Sequence, residues 1–304
     1  MKDKKRGLSL LLPACVAGAM ALVLGMVSCD EGGEAIAVVD NSPIKVLYVT
    51  YEKGRWHDTT TQKAIFLEIA EGNGWKADVM TGSLQEMTKK LAETPDFGDG
   101  YDVIAYNLCF ADCKDLRVPY NIMAQTKQKG IPSLLIHGSL HSYWDTFKAN
   151  ANNGVRIPGT ADHVYAKKEV FDKWTKENPE LEFPSWALFT GISSTGHGAR
   201  QPLKVKVIKP DHVLAKGVND YETTPVAELY NNYINGKHSP ESTEVIEGQH
   251  GNSKATVLWD YPVGDSKVIS FTLGHSNDEW KQVDFQKVIV NSVQPLAELK
   301  RSAK

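Results

Sequence analysis

Ile44-Lys-Val-Leu-Tyr-Val-Thr-Tyr51 is a run of β-branched and aromatic residues, and the polar stretch Glu52 to Asp58 separates it from Ala64, Ile65, Leu67, Ile69 and Ala70 at helical spacing. That order predicts a strand, a loop and a helix. Thr59, Thr60 and Thr61 offer N-caps to the helix, and Gly72 with Gly74 ends it. The pattern then recurs. Lys76 to Met80 reads as a strand, Leu84 to Glu93 as a helix and Tyr101 to Leu108 as a third strand. Tyr120 to Gln128 reads as a helix ending at Gly130, before a fourth strand at Ile131 to His137. Strands alternating with helices imply βαβ units, hence an α/β fold with a doubly wound, mostly parallel sheet covered on both faces.

Beyond Tyr143 the pattern loosens, with one helix expected at Lys167 to Asn178. Strands resume at Leu203 to Ile208, Ala255 to Trp259 and Lys267 to Leu273. The last helix, Trp280 to Leu299, carries Phe285, Ile289, Val293 and Leu296 at helical intervals. One domain from residue 43 to the end is the simplest division.

The 304 residues are 41 % hydrophobic and 23 % charged, which excludes a disordered, collagenous or coiled-coil chain. The formal charge of −3 includes a basic head of Lys2, Lys4, Lys5 and Arg6 against Asp3. Without the first 28 residues, 30 basic and 36 acidic residues leave −6. A chain of that sign lacks the cationic surplus that neutralises phosphates, so nucleic acid is not an expected partner.

The basic head precedes an apolar stretch from Leu8 to Val27 that ends in Met26-Val27-Ser28-Cys29. A secretory signal over residues 1–28 explains this best, and the ending resembles a bacterial lipobox. That resemblance implies cleavage before Cys29, lipidation of its sulfur and a membrane partner held through the lipid alone, placing the protein in the cell envelope. An uncleaved transmembrane anchor is the alternative, since the stretch is about 20 residues long. Residues 29–42, with Asp30, Glu31, Glu34 and two glycines, read as an acidic tether. Cys109 and Cys113 could pair in an exported protein or remain thiols.

In an open α/β sheet, ligands bind beyond the carboxyl ends of the strands. There the sequence places Trp56, His57 and Asp58 after the first strand, and Asn107 and Cys109 after the third. His137 ends the fourth, with His141 and Trp144 close behind, and Gly274-His275 follows the last. Histidine is neither a strong strand former nor a favoured core residue, so three strands delivering it to one edge predict convergence of His57, His137 and His275. With a carboxylate such as Glu228 or Asp58, they could bind a divalent metal, zinc or manganese, or act as general acid and base without one. His197 lies in the small-residue segment Gly191 to Gly198, which could wrap a ligand with backbone NH groups, and Trp56, Tyr143, Trp144 and Trp280 could stack on sugar rings. No HExxH, GxSxG or Walker glycine loop occurs.

Arg55-Trp-His-Asp58, Leu135-Ile-His137, the Gly191 to His197 segment, Pro210-Asp-His212 with Lys216-Gly217, Glu228-Leu-Tyr230 and Thr272-Leu-Gly-His275 with Trp280 follow one another in this chain. In that order they resemble the landmarks of the ThuA-like (trehalose-utilisation) family. The resemblance implies a flavodoxin-like, class I glutamine amidotransferase-like fold and a role in disaccharide or keto-sugar metabolism. Where true amidotransferases carry an Ile-Cys-Gly turn with the nucleophilic thiol, this chain has Ile136-His137-Gly138, so no glutaminase is expected. Val213 stands where the family usually has Pro, and Ala227 replaces an acidic residue commonly found before Glu228.

The expectation is an envelope lipoprotein acting on a small carbohydrate, a keto-sugar or keto-disaccharide, through His57, His137, His275 and Glu228. Trp56, Asp58, Asn107, His141, Trp144, His197 and Trp280 are the candidates for substrate contact. A non-catalytic sugar-binding lipoprotein is the alternative, and a scaffold for other envelope proteins a third.

Overall fold

The computed structural model describes residues 40, 42–111, 113–143, 152–157, 165–192, 194, 196–231 and 241–303. The leader, Cys29, the tether up to residue 39 and Trp144 lie outside them. Among the described residues no helix is long and apolar enough to cross a membrane.

The strands are β1 (Lys45–Thr50), β2 (Lys76–Met80), β3 (Val103–Asn107), β4 (Ser133–Ile136), the short pair β5 (Gly154–Arg156) and β6 (Tyr165–Lys167), β7 (Lys204–Val207), β8 (Tyr221–Glu222), β9 (Thr243–His250), β10 (Ser253–Val263) and β11 (Ser266–Phe271). The helices are α1 (Thr59–Gly72), α2 (Leu84–Glu93), α3 (Arg117–Lys127), α4 (Lys168–Glu177), α5 (Trp186–Thr190), α6 (Asn277–Trp280) and α7 (Val283–Ser302). The main sheet runs β2-β1-β3-β4-β11-β10-β9-β7-β8. Its first five strands are parallel to one another, and only β10 and β7 run against the other seven. The order β2-β1-β3-β4-β11 is that of a flavodoxin-like doubly wound sheet.

Strand periodicity assigns the two faces. Val46 and Tyr48 point with Ile65, Phe66 and Ile69 of α1 and Phe285, Ile289 and Val293 of α7 into one core. Leu47 and Val49 point with Met87 and Leu91 of α2 and Val118 and Ile122 of α3 into the other. Both faces are dry, which is why these strands read as near-continuous apolar runs.

Three local expectations change. The N-cap of α1 is Asp58, whose side chain accepts from the Thr61 backbone NH at 3.1 Å, and the three threonines form the first turn instead. A carboxylate satisfies the unpaired NH groups of a first turn at least as well as a hydroxyl. The last helix is interrupted at Lys281 and Gln282, giving α6 and α7. The sequence also hides β9, whose Glu244, Glu247 and Gln249 mask the apolar pair Val245 and Ile246; its pairing with β10 and β7 makes it a strand. Cys109 and Cys113 are not joined to each other.

The carboxyl end of α7 is tied to the start of β1. Arg301 donates to the carbonyls of Ser42 and Pro43, both at 2.9 Å, and to Asp102 Oδ2 at 2.8 Å, while Asp102 also accepts from the Lys45 NH at 2.9 Å. Asp102 is buried, so removing it strands a largely buried guanidinium. Asp102→Ala is expected to cost about 3–5 kcal/mol in chemical denaturation, whereas breaking the exposed Lys89–Glu93 pair by Lys89→Ala costs under about 1 kcal/mol.

Candidate functional site

Each of the three histidines follows a parallel strand at its carboxyl end. His57 sits in the loop between β1 and α1, His137 directly follows β4, and His275 lies just beyond β11. Glu228 comes from the segment between β8 and β9. An antiparallel bridge from His197 to Tyr230, with Gly198 NH to Leu229 O at 3.2 Å and Asn231 NH to Gly196 O at 2.9 Å, carries it to the same place. The small-residue segment before β7 therefore spends backbone groups on this pairing.

The rings converge. His57 and His137 have centroids 4.7 Å apart, His57 and His275 5.1 Å, and His137 and His275 5.3 Å. His137 Nε2 lies 3.1 Å from His57 Nε2, 3.3 Å from His275 Nδ1, 3.2 Å from the Tyr230 hydroxyl and 3.5 Å from Glu228 Oε2. His137 Nδ1 is 2.7 Å from the Thr272 carbonyl. A carbonyl only accepts, so Nδ1 carries the proton and the Nε2 lone pair faces the cluster.

His137 adopts φ +43°, the left-handed region, and opens a 3₁₀ turn over His137–His141. Gly138 is required beside it. A Cβ there would stand 2.9 Å from Cys109 Cβ and 3.0 Å from His57 Cε1.

The electrostatics favour neutral His57 and His137 rings beside one carboxylate. Burial lowers His57 to about 4, helped by repulsion from His275. It lowers His137 well below the ordinary imidazole range, with His57 adding to the effect. Burial by itself would raise Glu228, but the His275 hydrogen bond and the surrounding imidazoles hold its carboxyl well below the usual range. Arg200 Nε, a fixed cation 3.1 Å from Glu228 Oε1, keeps it ionised. His275 Nδ1 and His197 Nε2 approach that same oxygen at 3.3 and 3.5 Å.

Ligand atoms of His57, His137, His275 and Glu228 all lie within 4.8 Å of one another, a donor set that could hold a metal ion. Tetrahedral bonds of about 2.0–2.1 Å would place neighbouring nitrogens about 3.3–3.4 Å apart. Of the His137 spacings, 3.3 Å to His275 meets that and 3.1 Å to His57 is slightly shorter, and the Nδ1–H to Thr272 bond is the outer support that metal-binding histidines usually have.

The other predicted residues divide. His197 stands beside Glu228, with its Nδ1 2.8 Å from the Gly198 carbonyl. His141 stacks on the Tyr230 ring at 3.6 Å, with its Nε2 2.6 Å from Ser194 Oγ, and burial lowers it to about 3. Trp56 is exposed, next to His57 in the chain and under the Arg55 guanidinium. Asp58 caps α1 and accepts from Asn277 Nδ2 at 2.8 Å. Asn107 and Trp280 are buried and are not brought to the cluster. Asn107 donates to Tyr48 Oη and Gln62 Oε1, and Trp280 Nε1 donates to the Gly274 carbonyl. Tyr230 and Arg200 were absent from the expected site. Tyr230 stood in the Glu228-Leu-Tyr230 landmark, while Arg200 had no sequence cue beyond following Gly198.

The fold and this histidine–carboxylate cluster define an α/β protein with its candidate centre at the carboxyl edge of a flavodoxin-like sheet. No protein-family model matches the chain, and no curated protein matches it. Solved structures do. A protein of Bacteroides uniformis described as ThuA-like aligns with a TM-score of 0.56 and 13 % identity over 87 % of this chain and 95 % of its own. One of Parabacteroides merdae, described in the same way, aligns with 0.56 and 14 % identity over 84 % of this chain and 90 % of its own. This chain has the fold of those proteins, the one implied by its sequence resemblance to the ThuA-like family.

Because native His57 and His137 hold their rings neutral while unfolded imidazoles bind protons near about 6.5, the unfolded chain takes up more protons below that pH. Stability is then fully present above about 6.5 and declines as pH falls toward about 4. Denaturant midpoints measured with a chelator present should fall across that window, with a shallower slope in His57→Asn.

Proposed function

We propose that this protein is a metal-assisted enzyme acting on a keto-sugar or keto-disaccharide, attached to the cell envelope through a lipid on Cys29. The observation that carries the enzymatic reading is the meeting of three imidazole nitrogens and one carboxylate at ligand spacing. His57, His137, His275 and Glu228 would hold a divalent ion, zinc or manganese. When bound, such an ion supplies Lewis acidity toward a substrate carbonyl.

The surrounding residues supply the proton chemistry. A keto group acidifies the adjacent C–H, so a base beside the bound carbonyl can start isomerisation or expulsion of a glycosidic oxygen. His197 suits that base: it is partly exposed, and its Nε2 faces the site while Nδ1 is directed to the Gly198 carbonyl. Tyr230, whose hydroxyl burial raises well above its ordinary range, stays protonated and donates toward the developing charge. Arg200 keeps Glu228 anionic, and Trp56 offers an apolar face to a sugar ring. The carbohydrate assignment is supported by the resemblance to the ThuA-like family, and the envelope location by the leader sequence.

Elemental analysis of the purified protein should find about one equivalent of zinc or manganese, lost in His137→Ala and His275→Ala together with turnover of 3-keto-disaccharides. His197→Ala should retain the metal and lose on the order of 10²–10⁴-fold in kcat, while Lys89→Ala changes neither. Metal-free protein with full, chelator-resistant turnover would leave acid–base chemistry alone. Sugar binding without turnover would reduce the protein to a carbohydrate receptor.

A further inference from the structure

The loop that carries His275 is held from below by a buried polar chain that touches none of the candidate ligand atoms. Gln62, fully buried on α1, directs its Nε2 to the carbonyls of Gly274 at 3.2 Å and His275 at 3.3 Å. Its Oε1 accepts from Asn107 Nδ2 at 2.9 Å, and that same nitrogen donates to Tyr48 Oη at 2.8 Å. The chain thus runs from β1 through β3 and α1 to the turn after β11. On the other side of the turn, Glu279 accepts from the Gly274 NH at 3.3 Å and the Ser276 NH at 3.0 Å. Gly274 itself is at φ +110°, and a Cβ there would meet Trp280 Nε1 at 3.0 Å.

The geometry points to Gln62 as a positioning residue that sets where His275 presents its Nδ1 to the cluster, with Asn107 fixing which way the Gln62 amide faces. An amide can accept from Asn107 and donate to two carbonyls only in one orientation, so Asn107 removes the alternative flip. A ligand on a loop needs such support, because a displacement of about 0.5 Å already degrades a metal site. Gln62 lies one turn beyond the His57 loop, so α1 links the loop carrying one candidate ligand to the turn carrying another. This inference rests on the metal reading for one of its two readouts and on side-chain placement alone for the other.

The test compares Gln62→Met and Gln62→Glu with Gln125→Met in the full-length protein. Gln125 is an equally buried glutamine on α3, donating to Pro95 O at 2.8 Å and Asn121 O at 3.0 Å, far from the cluster in the other core. Gln62→Glu keeps the acceptor for Asn107 and, with its carboxyl protonated by burial against two carbonyls, retains at most one of the two donors, so it carries the test if the Met variant does not fold. Cobalt titration followed by its visible absorption should show binding weakened roughly 10–100-fold and an altered spectrum in the Gln62 variants. Gln125→Met should lower Tm yet bind within about twofold of wild type. Unchanged cobalt binding in the Gln62 variants, or an equal loss in Gln125→Met, overturns the inference. If wild type takes up no cobalt, the metal reading alone fails, and the ¹⁵N spectrum of the imidazoles decides. His275 ring signals that move in the Gln62 variants and not in Gln125→Met uphold the positioning role, and unmoved signals overturn it.

Discussion

The hydrogen bond from His137 Nδ1 to the Thr272 carbonyl is the contact on which the site depends. β4 and β11 are parallel neighbours with Ile136 paired to Phe271, so this bond continues their lateral alignment one residue past the ladder. Thr272 is fixed in turn by its NH to the Val257 carbonyl at 2.9 Å. The sheet therefore dictates which nitrogen of His137 keeps its proton, and the other is left with a lone pair directed at His57, His275, Tyr230 and Glu228. A rigid sheet performs here what a mobile loop could not.

Gathering these groups opposes folding. His137 takes a left-handed backbone, a conformation worth about 1–3 kcal/mol of strain in a non-glycine residue. Three imidazoles pack together out of water, and a carboxylate is buried with them. Neutral His57 and His137 rings limit mutual repulsion, and Arg200 balances Glu228 at the solvent side. Strain and desolvation gathered at one sheet edge, with ordinary apolar packing on both faces, is the pattern expected where selection acts on chemistry rather than stability.

Much of the amino-terminal half was legible because its strands and helices are buried on known faces. Val46 with Tyr48 and Leu47 with Val49 alternate cleanly, and the helices that cover them have matching stripes. The antiparallel extension was harder. β9 carries two glutamates, a glutamine and a glycine around its apolar pair, and its strand character comes from β10 and β7 rather than from its own residues. Asn107 and Trp280 were legible as lying near the functional edge, yet nearness to a strand end does not fix which groups a side chain bonds. Asn107 turns to Tyr48 and Gln62, and Trp280 turns into the core beneath Gly274.

By itself the sequence determined the α/β class, the strand ends that bear His57, His137 and His275, and the candidacy of Glu228, because periodicity and strand-end position are local properties. Only the tertiary structure decided that the four meet at ligand spacing, that Arg200 and Tyr230 join them, and that Gln62 supports the last histidine. Those contacts link residues from 28 positions apart, Arg200 with Glu228, to 218 apart, His57 with His275. Distances between such groups depend on sheet order and register, which no local stretch of chain encodes.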